Sequence, residues 1–167
     1  MKKNQKISAI DLFCGIGGLS YGLKKAGIDI KAGIDIDSSC KYAFEENCKT
    51  VFINEDIKNI KGDFLNSFYN KDDIKILAAC APCQPFSSYT YKIDKTKDMR
   101  WQLLYEYIRI IKEVKPLIIT MENVPNLLKF KEAPVFNDFV NELKNENYFV
   151  WYNVIYAPDY GIPQKRK

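Results

Sequence analysis

Short apolar runs rich in β-branched residues alternate along this chain with longer amphipathic ones, and that alternation constrains the fold more than any single residue does. Residues 7–13 read as a strand that runs into the glycine-rich turn Cys14-Gly15-Ile16-Gly17-Gly18. Residues 19–26 read as a helix closed by Gly27, and residues 28–36 as a second strand. Ser38 is a candidate N-cap for a helix through Asn47. Residues 51–53 form a third, short strand, residues 74–79 a fourth and residues 117–121 a fifth. Between the last two, residues 100–114 place Leu103, Leu104, Tyr107, Ile108 and Ile111 at helical spacing, so that one face is buried. A helix over 135–145 and a strand over 148–155 follow. Continuous apolar strands joined through helices predict an α/β fold, a mostly parallel sheet with helices on both faces. In such sheets ligands sit at the carboxyl ends of the strands. Residues 13–18, Asp35, Asp56, Cys83 and Glu122 all fall there.

One domain over residues 1–167 accommodates this pattern, since 167 residues with 47% hydrophobic content suffice for a sizeable core. No apolar run approaches the roughly 18 residues of a membrane span, and the basic start Met1–Lys6 has no apolar signal core behind it. The expectation is a bacterial cytoplasmic protein with no membrane partner, its five cysteines reduced. A net charge of +4 is compatible with nucleic acid without demonstrating it. Histidine is absent, which removes Cys–His and Ser–His activation together with most zinc sites; no metal is expected.

Two features carry chemistry. Cys83 follows Pro82 where the fourth strand breaks into a polar loop, and Glu122 ends the fifth strand, so a thiol and a carboxyl can converge on one small planar substrate. A free thiol needs help to ionise at neutral pH, and Lys92, Lys95, Lys97 and Arg100 follow on the same loop. Cys83 is read as a nucleophile; Cys14, Cys40 and Cys48 as buried structural cysteines, although Cys14 also sits on the ligand turn. The Cys80-x-x-Cys83 spacing leaves thiol–disulfide exchange or half a zinc site as alternatives. The turn Gly15-x-Gly17-Gly18 permits close backbone approach to a ligand and departs from the dinucleotide G-x-G-x-x-G. Asp35 stands where a ribose diol would be accepted, about 20 residues beyond the first glycine, and Asp56 can accept from an adenine amino group. With no P-loop signature, S-adenosyl-L-methionine is the adenosine ligand that suits this set.

Four ordered segments, Asp11-Leu12-Phe13-Cys14-Gly15-Ile16-Gly17-Gly18-Leu19, Pro82-Cys83-Gln84-Pro85-Phe86-Ser87, Glu122-Asn123-Val124 and Tyr160-Gly161-Ile162-Pro163-Gln164-Lys165-Arg166, resemble the motifs of the cytosine-5 DNA methyltransferases. The resemblance covers essentially the whole chain. It implies a Rossmann-like methyltransferase fold that uses S-adenosyl-L-methionine. It places Phe13, Cys14, Gly15, Ile16, Gly17 and Gly18 at the methionine end, and Asp35, in place of the family's usual glutamate, with Ile36 at the ribose. Asp56 and Ile57 are then at the adenine, with Pro82 and Leu103 as further cofactor contacts. Cys83 is implied to attack carbon 6 of a cytosine flipped out of DNA, Glu122 to hydrogen-bond ring nitrogen 3 in its protonated form, and Asn123 to fix the surroundings of Glu122. Arg166 is implied to reach the substrate or its phosphate, and residues 87–98 to close over the extruded base. Burial is expected to raise the pKa of Glu122 in the complex.

The chain stops at Lys167, inside the family's Gln-x-Arg-x-Arg motif. The expectation is therefore a fold incomplete at the C-terminus, lacking an antiparallel strand, the target-recognition region and the closing motif. It is read as the catalytic portion of a larger enzyme, or of one in which a second polypeptide carries target recognition. Methylation of transfer RNA, a non-catalytic S-adenosylmethionine-binding remnant and a thiol redox protein are the competing readings.

Overall fold

A computed structural model describes residues 5–82, 102–129 and 134–167. Within them lie five strands, β1 (Ile7–Leu12), β2 (Asp29–Asp35), β3 (Val51–Asn54), β4 (Ile74–Ala79) and β5 (Ile118–Met121). The helices are α1 (Gly18–Lys25), α2 (Lys41–Cys48), α3 (Gly62–Asn66), α4 (Leu103–Val114) and α5 (Val135–Asn145). The strands form one sheet in the order β3-β2-β1-β4-β5, and every pairing is parallel. No described helix is long and apolar enough to cross a membrane.

Helices cover both faces, as the apolar strands predict. Ile10, Leu12, Leu77 and Ala79 point to one face and pack with Leu104, Ile108 and Ile111 of α4 and Phe139 and Leu143 of α5. Ala9, Ile30, Phe52 and Ile76 point to the other, with Phe44 and Cys48 of α2 and Leu23 of α1. A bulge governs the division within β2. Ala9 pairs with Ile30 but Ile10 with Ala32, so Lys31 is the extra residue and the inward parity switches after it. Ile30 therefore serves one core while Ala32 and Ile34 serve the other. The fully buried Tyr107 of α4 sets its hydroxyl 2.9 Å from the Leu77 carbonyl and 3.1 Å from that of Thr120, tying β4 to β5.

Two expectations are corrected, and one element is unforeseen. Ser38 is not a cap: the Asp37 carboxylate accepts the Ser39 N–H at 3.0 Å and caps a 3-10 turn over Ser38–Cys40, and Cys40, at the N-cap of α2, makes no side-chain cap bond among the described residues. The short helix α3 goes unannounced in the sequence, because a five-residue element carries too little periodicity to read. Residues 148–155 do not form a strand. They keep the alternation that suggested one: Tyr148 and Val150 pack toward the core, whereas Phe149 is 95% and Trp151 74% exposed. A strand also needs a neighbour to pair its backbone, and a groove of about 620 Å³ lies between β5 and residues 148–152.

Two close-packed points in the first layer are open to test. Gly33 lies beneath α2, and a Cβ built there would come 2.2 Å from Phe44 Cζ and 2.8 Å from Cys14 Sγ. Replacing Gly33→Ala is expected to cost about 1–3 kcal/mol through forced displacement of a buried ring, read from the urea midpoint; an unchanged midpoint would refute the close approach. Asp11 is fully buried on β1, and its Oδ2 accepts the Ser20 hydroxyl of α1 at 2.6 Å while its Oδ1 has no hydrogen-bond partner among the described residues. Burial pushes this carboxyl up to about 6, against the pull of the Ser20 hydrogen bonds. Between the unperturbed 3.8 and about 6, the native state holds a proton that the unfolded chain has released. Asp11 therefore favours folding fully below pH 4 and loses that contribution as pH rises through 6, at about 1.4 kcal/mol per unit. Urea titrations across pH 4–7 are expected to show a decline in wild-type stability that Asp11→Asn flattens; parallel profiles would exclude it.

Candidate active site

Where β1 ends, the backbone turns through three left-handed residues in five, Phe13 at φ 57°, Gly15 at 49° and Gly17 at 91°. Gly17 is the N-cap of α1, and a Cβ there would meet Cys48 Sγ at 2.8 Å and Phe44 at 2.9 Å. Both its conformation and its surroundings therefore require glycine. The turn is held from the next strand: the Gly15 N–H donates to Asp35 Oδ2 at 2.8 Å, and the Cys14 N–H to the Ile34 carbonyl at 3.1 Å. Asp35 Oδ1 accepts the Asp37 N–H at 3.0 Å. Each carboxylate oxygen has two acceptor sites, so Asp35 supports the turn and retains capacity for a ligand's hydroxyl groups.

These ends border a cavity of about 500 Å³. Phe13 enters it from β1, Asp35 and Ile36 from the end of β2, and Asp56 and Ile57 from the end of β3. Pro82 comes from beyond β4, and Leu103 is the first residue of α4. Seven residues singled out from the sequence thus line one space, though they come from five separate segments. Asp56 caps the 3-10 turn Ile57–Asn59 by accepting the Lys58 N–H at 3.0 Å. Beside it, hydrogen bonds from the Asn59 amide and the Asp56 N–H hold the Glu55 carboxyl below its usual range. Ile34, Glu55, Lys58 and Cys80 also line the cavity; none is a sequence candidate for binding the cofactor, and Cys80 enters the sequence reading only as half of the Cys80-x-x-Cys83 pair. Glu55 and Lys58 flank Asp56 and Ile57 and could have been found by extending that segment. Ile34 carries no signal beyond that of any core strand residue.

Cys14, Gly15, Ile16, Gly17 and Gly18 belong to the adjoining turn rather than to the cavity lining. The Cys14 side chain points away into the core with Phe44, and burial first, then the nearby Asp11 and Asp35, pushes its thiol well up. That suits a structural cysteine. Cys48 is buried in that layer, as expected, whereas Cys40 is only half-buried against it.

The residues expected to act on the substrate follow β4 and β5. The Glu122 N–H donates to the Ala79 carbonyl at 3.0 Å, continuing the strand pairing one residue past β5. Asn123 Nδ2 donates to the Ala81 carbonyl at 3.1 Å, and its Oδ1 accepts the Val124 N–H at 2.9 Å. Asn123 therefore joins the segment ending at Ala81-Pro82 to the one carrying Glu122. Glu122 itself is exposed, so the burial expected for it does not come from the described residues. Cys83, and with it the Cys80-x-x-Cys83 pairing, and residues 87–98 lie outside the described residues. Arg166 is exposed on the final segment, where its carbonyl accepts the Ala157 N–H at 2.8 Å. Among the described residues its guanidinium has no ion-pair or hydrogen-bond partner, and the structure does not bring it to the cavity.

Comparison with known proteins agrees with this geometry. The family model for C-5 cytosine-specific DNA methylase matches residues 7–167. The Type II methylase M.HgiDII of Herpetosiphon aurantiacus is 49% identical over 159 residues, covering 95% of this chain and 44% of that protein. The Type II methyltransferase M.XorII of Xanthomonas oryzae pv. oryzae is 37% identical over 166 residues, covering 95% and 38%. The chain thus spans less than half the length of these relatives. Among solved structures, the Entamoeba histolytica methyltransferase EhMeth aligns with a TM-score of 0.72 at 25% identity, over 98% of this chain and 51% of its own. A parallel sheet of Rossmann-like order, a carboxylate-lined cavity at its carboxyl edge and a family match over residues 7–167 converge, and the chain belongs to the C-5 cytosine-specific DNA methylase family.

Proposed function

We propose that this chain carries the catalytic centre for transfer of a methyl group to carbon 5 of cytosine in DNA. The observation that carries the reading is the gathering of Phe13, Asp35, Asp56, Pro82 and Leu103 around one cavity, with Asn123 bonding the segment that leads to Cys83. Members of this family use S-adenosyl-L-methionine, which supplies a methyl group on a positively charged sulfur when bound. The cavity fits such a molecule: about 500 Å³ lies within the usual range for small-molecule sites. Ile57 and Leu103 offer apolar surface to a planar ring, Asp35 accepts from a diol, Asp56 accepts from an exocyclic amine, and Phe13 stands toward the methionine end. The turn from Cys14 through Gly18 lets the backbone approach the methionine end.

On the substrate side, unactivated carbon 5 of cytosine is a weak nucleophile, and covalent catalysis divides the task. Cys83, its thiol proton released to solvent, bonds through the thiolate Sγ to carbon 6, and the displaced π electrons are drawn toward ring nitrogen 3 as Glu122 delivers a proton there. That leaves carbon 5 electron-rich. Once carbon 5 is methylated, loss of its proton to water restores the double bond, expels Sγ as the thiolate and allows nitrogen 3 to return its proton to Glu122. Glu122 must be protonated for this, and a flipped base packed over it would remove the water that now reaches it. Asn123 holds the Glu122 segment against that of Pro82-Cys83, and Arg166 is assigned to the substrate or its phosphate. Recognition of a particular DNA sequence is assigned to further residues of the kind that make the relatives longer, on the same or on a second polypeptide.

Duplex DNA bearing 5-fluorocytosine tests the covalent step, because fluorine cannot leave as a proton does and the adduct persists. Wild-type enzyme with S-adenosyl-L-methionine is expected to give a denaturant-resistant protein–DNA species that Cys83→Ser lacks. Trapping by Cys83→Ser equal to wild type would remove the nucleophile assignment. Glu122→Gln is expected to slow methyl transfer about 10²–10⁴-fold, the usual weight of a general acid, measured in single-turnover assays.

A further inference from the structure

Arg109 lies on α4, two turns beyond Leu103, and touches neither the cavity nor the catalytic segments. Its donors are nevertheless directed at the cavity wall. Nη2 donates to the carbonyls of Ile57 and Ile60, each at 3.0 Å. Nε and Nη1 are fixed in turn by Glu106 Oε2 and Glu113 Oε1, each at 2.8 Å. Glu113 completes the junction, because its Oε2 accepts the Gly62 N–H at 2.6 Å. The backbones are nearly in contact there: a Cβ on Gly62 would lie 2.3 Å from Glu113 Cβ and 2.9 Å from the Glu113 carbonyl carbon. One planar guanidinium thus grips both ends of the segment from Ile57 to Ile60, which follows directly from Asp56. The same helix places Leu103 in the cavity.

We propose that Arg109 is a positioning residue for the ring-binding wall of the cavity, setting Asp56 and Ile57 at a fixed distance from Leu103 through its two carbonyl bonds. The inference rests on the reading of the cavity as the adenosine site and adds a residue outside it. Arginine is the side chain suited to the task. It offers five donors in a rigid fork, whereas lysine would keep the charge near Glu106 and Glu113 but could not span both carbonyls and both carboxylates.

Equilibrium titration with two ligands isolates this role. S-adenosylhomocysteine occupies the whole cofactor site, while 5′-methylthioadenosine shares its adenosine end and lacks the amino-acid end. Arg109→Ala is expected to weaken both by the same factor, about tenfold, the equivalent of one good charge-assisted hydrogen bond. Arg109→Lys, which retains the charge if the alanine variant unfolds, is expected to weaken both equally by about threefold or more. Affinities within twofold of wild type in both variants would overturn the proposal. So would a loss confined to S-adenosylhomocysteine, the pattern of a disturbed turn at the methionine end. If wild type binds neither ligand, the adenosine-site reading fails and this inference fails with it; if wild type binds both and the variants match it, the inference fails alone.

Discussion

Parallel pairing of β1 between β2 and β4 is the constraint on which the rest of the molecule depends. Parallel strands all run the same way, so their carboxyl ends emerge at one edge of the sheet and their connections must cross a face. Phe13, Asp35, Asp56 and Pro82 are delivered to a single edge for that reason alone. The register sets their depth. Leu12 pairs with Ala79 and Ile34, and Asp35 with Asn54, so the strands stop within about a residue of one another and leave a common rim.

Holding helices on both faces demands close approaches that the side chains barely permit. Gly17 and Gly33 let Phe44 and Cys48 press against the turn and the sheet, and Gly62 does the same for α4. These contacts place the glycine turn and the segment after Asp56 on rigid supports. Asp11 is the counterexample within that packing. It joins β1 to α1 through Ser20 yet leaves one carboxylate oxygen without a partner among the described residues, a cost that the fold carries beside the glycine turn. Buried polar groups left unpaired are among the more expensive features of a core.

Much of this was legible beforehand because its causes are local. Residues 7–13, 74–79 and 100–114 announce themselves through β-branched runs or helical spacing, and β1, β4 and α4 lie within those spans. The failures have equally local reasons. Ser38 and Asp37 are both good caps, and only the backbone geometry shows that Asp37 accepts the bond. Residues 148–155 carry strand composition, but a strand is a relation between two segments, and a single segment's composition cannot supply its partner.

By itself the sequence determined the α/β class, the motif residues and, through their chemistry, the kind of ligand to expect, because residue type and spacing carry that information without a neighbour; the reaction followed from the family that those motifs resemble. Tertiary structure alone decided what lies between motifs. Asp35 anchors the turn at Gly15 besides facing the cavity, Asn123 bridges to Ala81 forty-two positions earlier, and Arg109 reaches across to Ile57 and Ile60. Such bonds span long sequence separations and depend on strand order and helix placement, which no periodicity encodes.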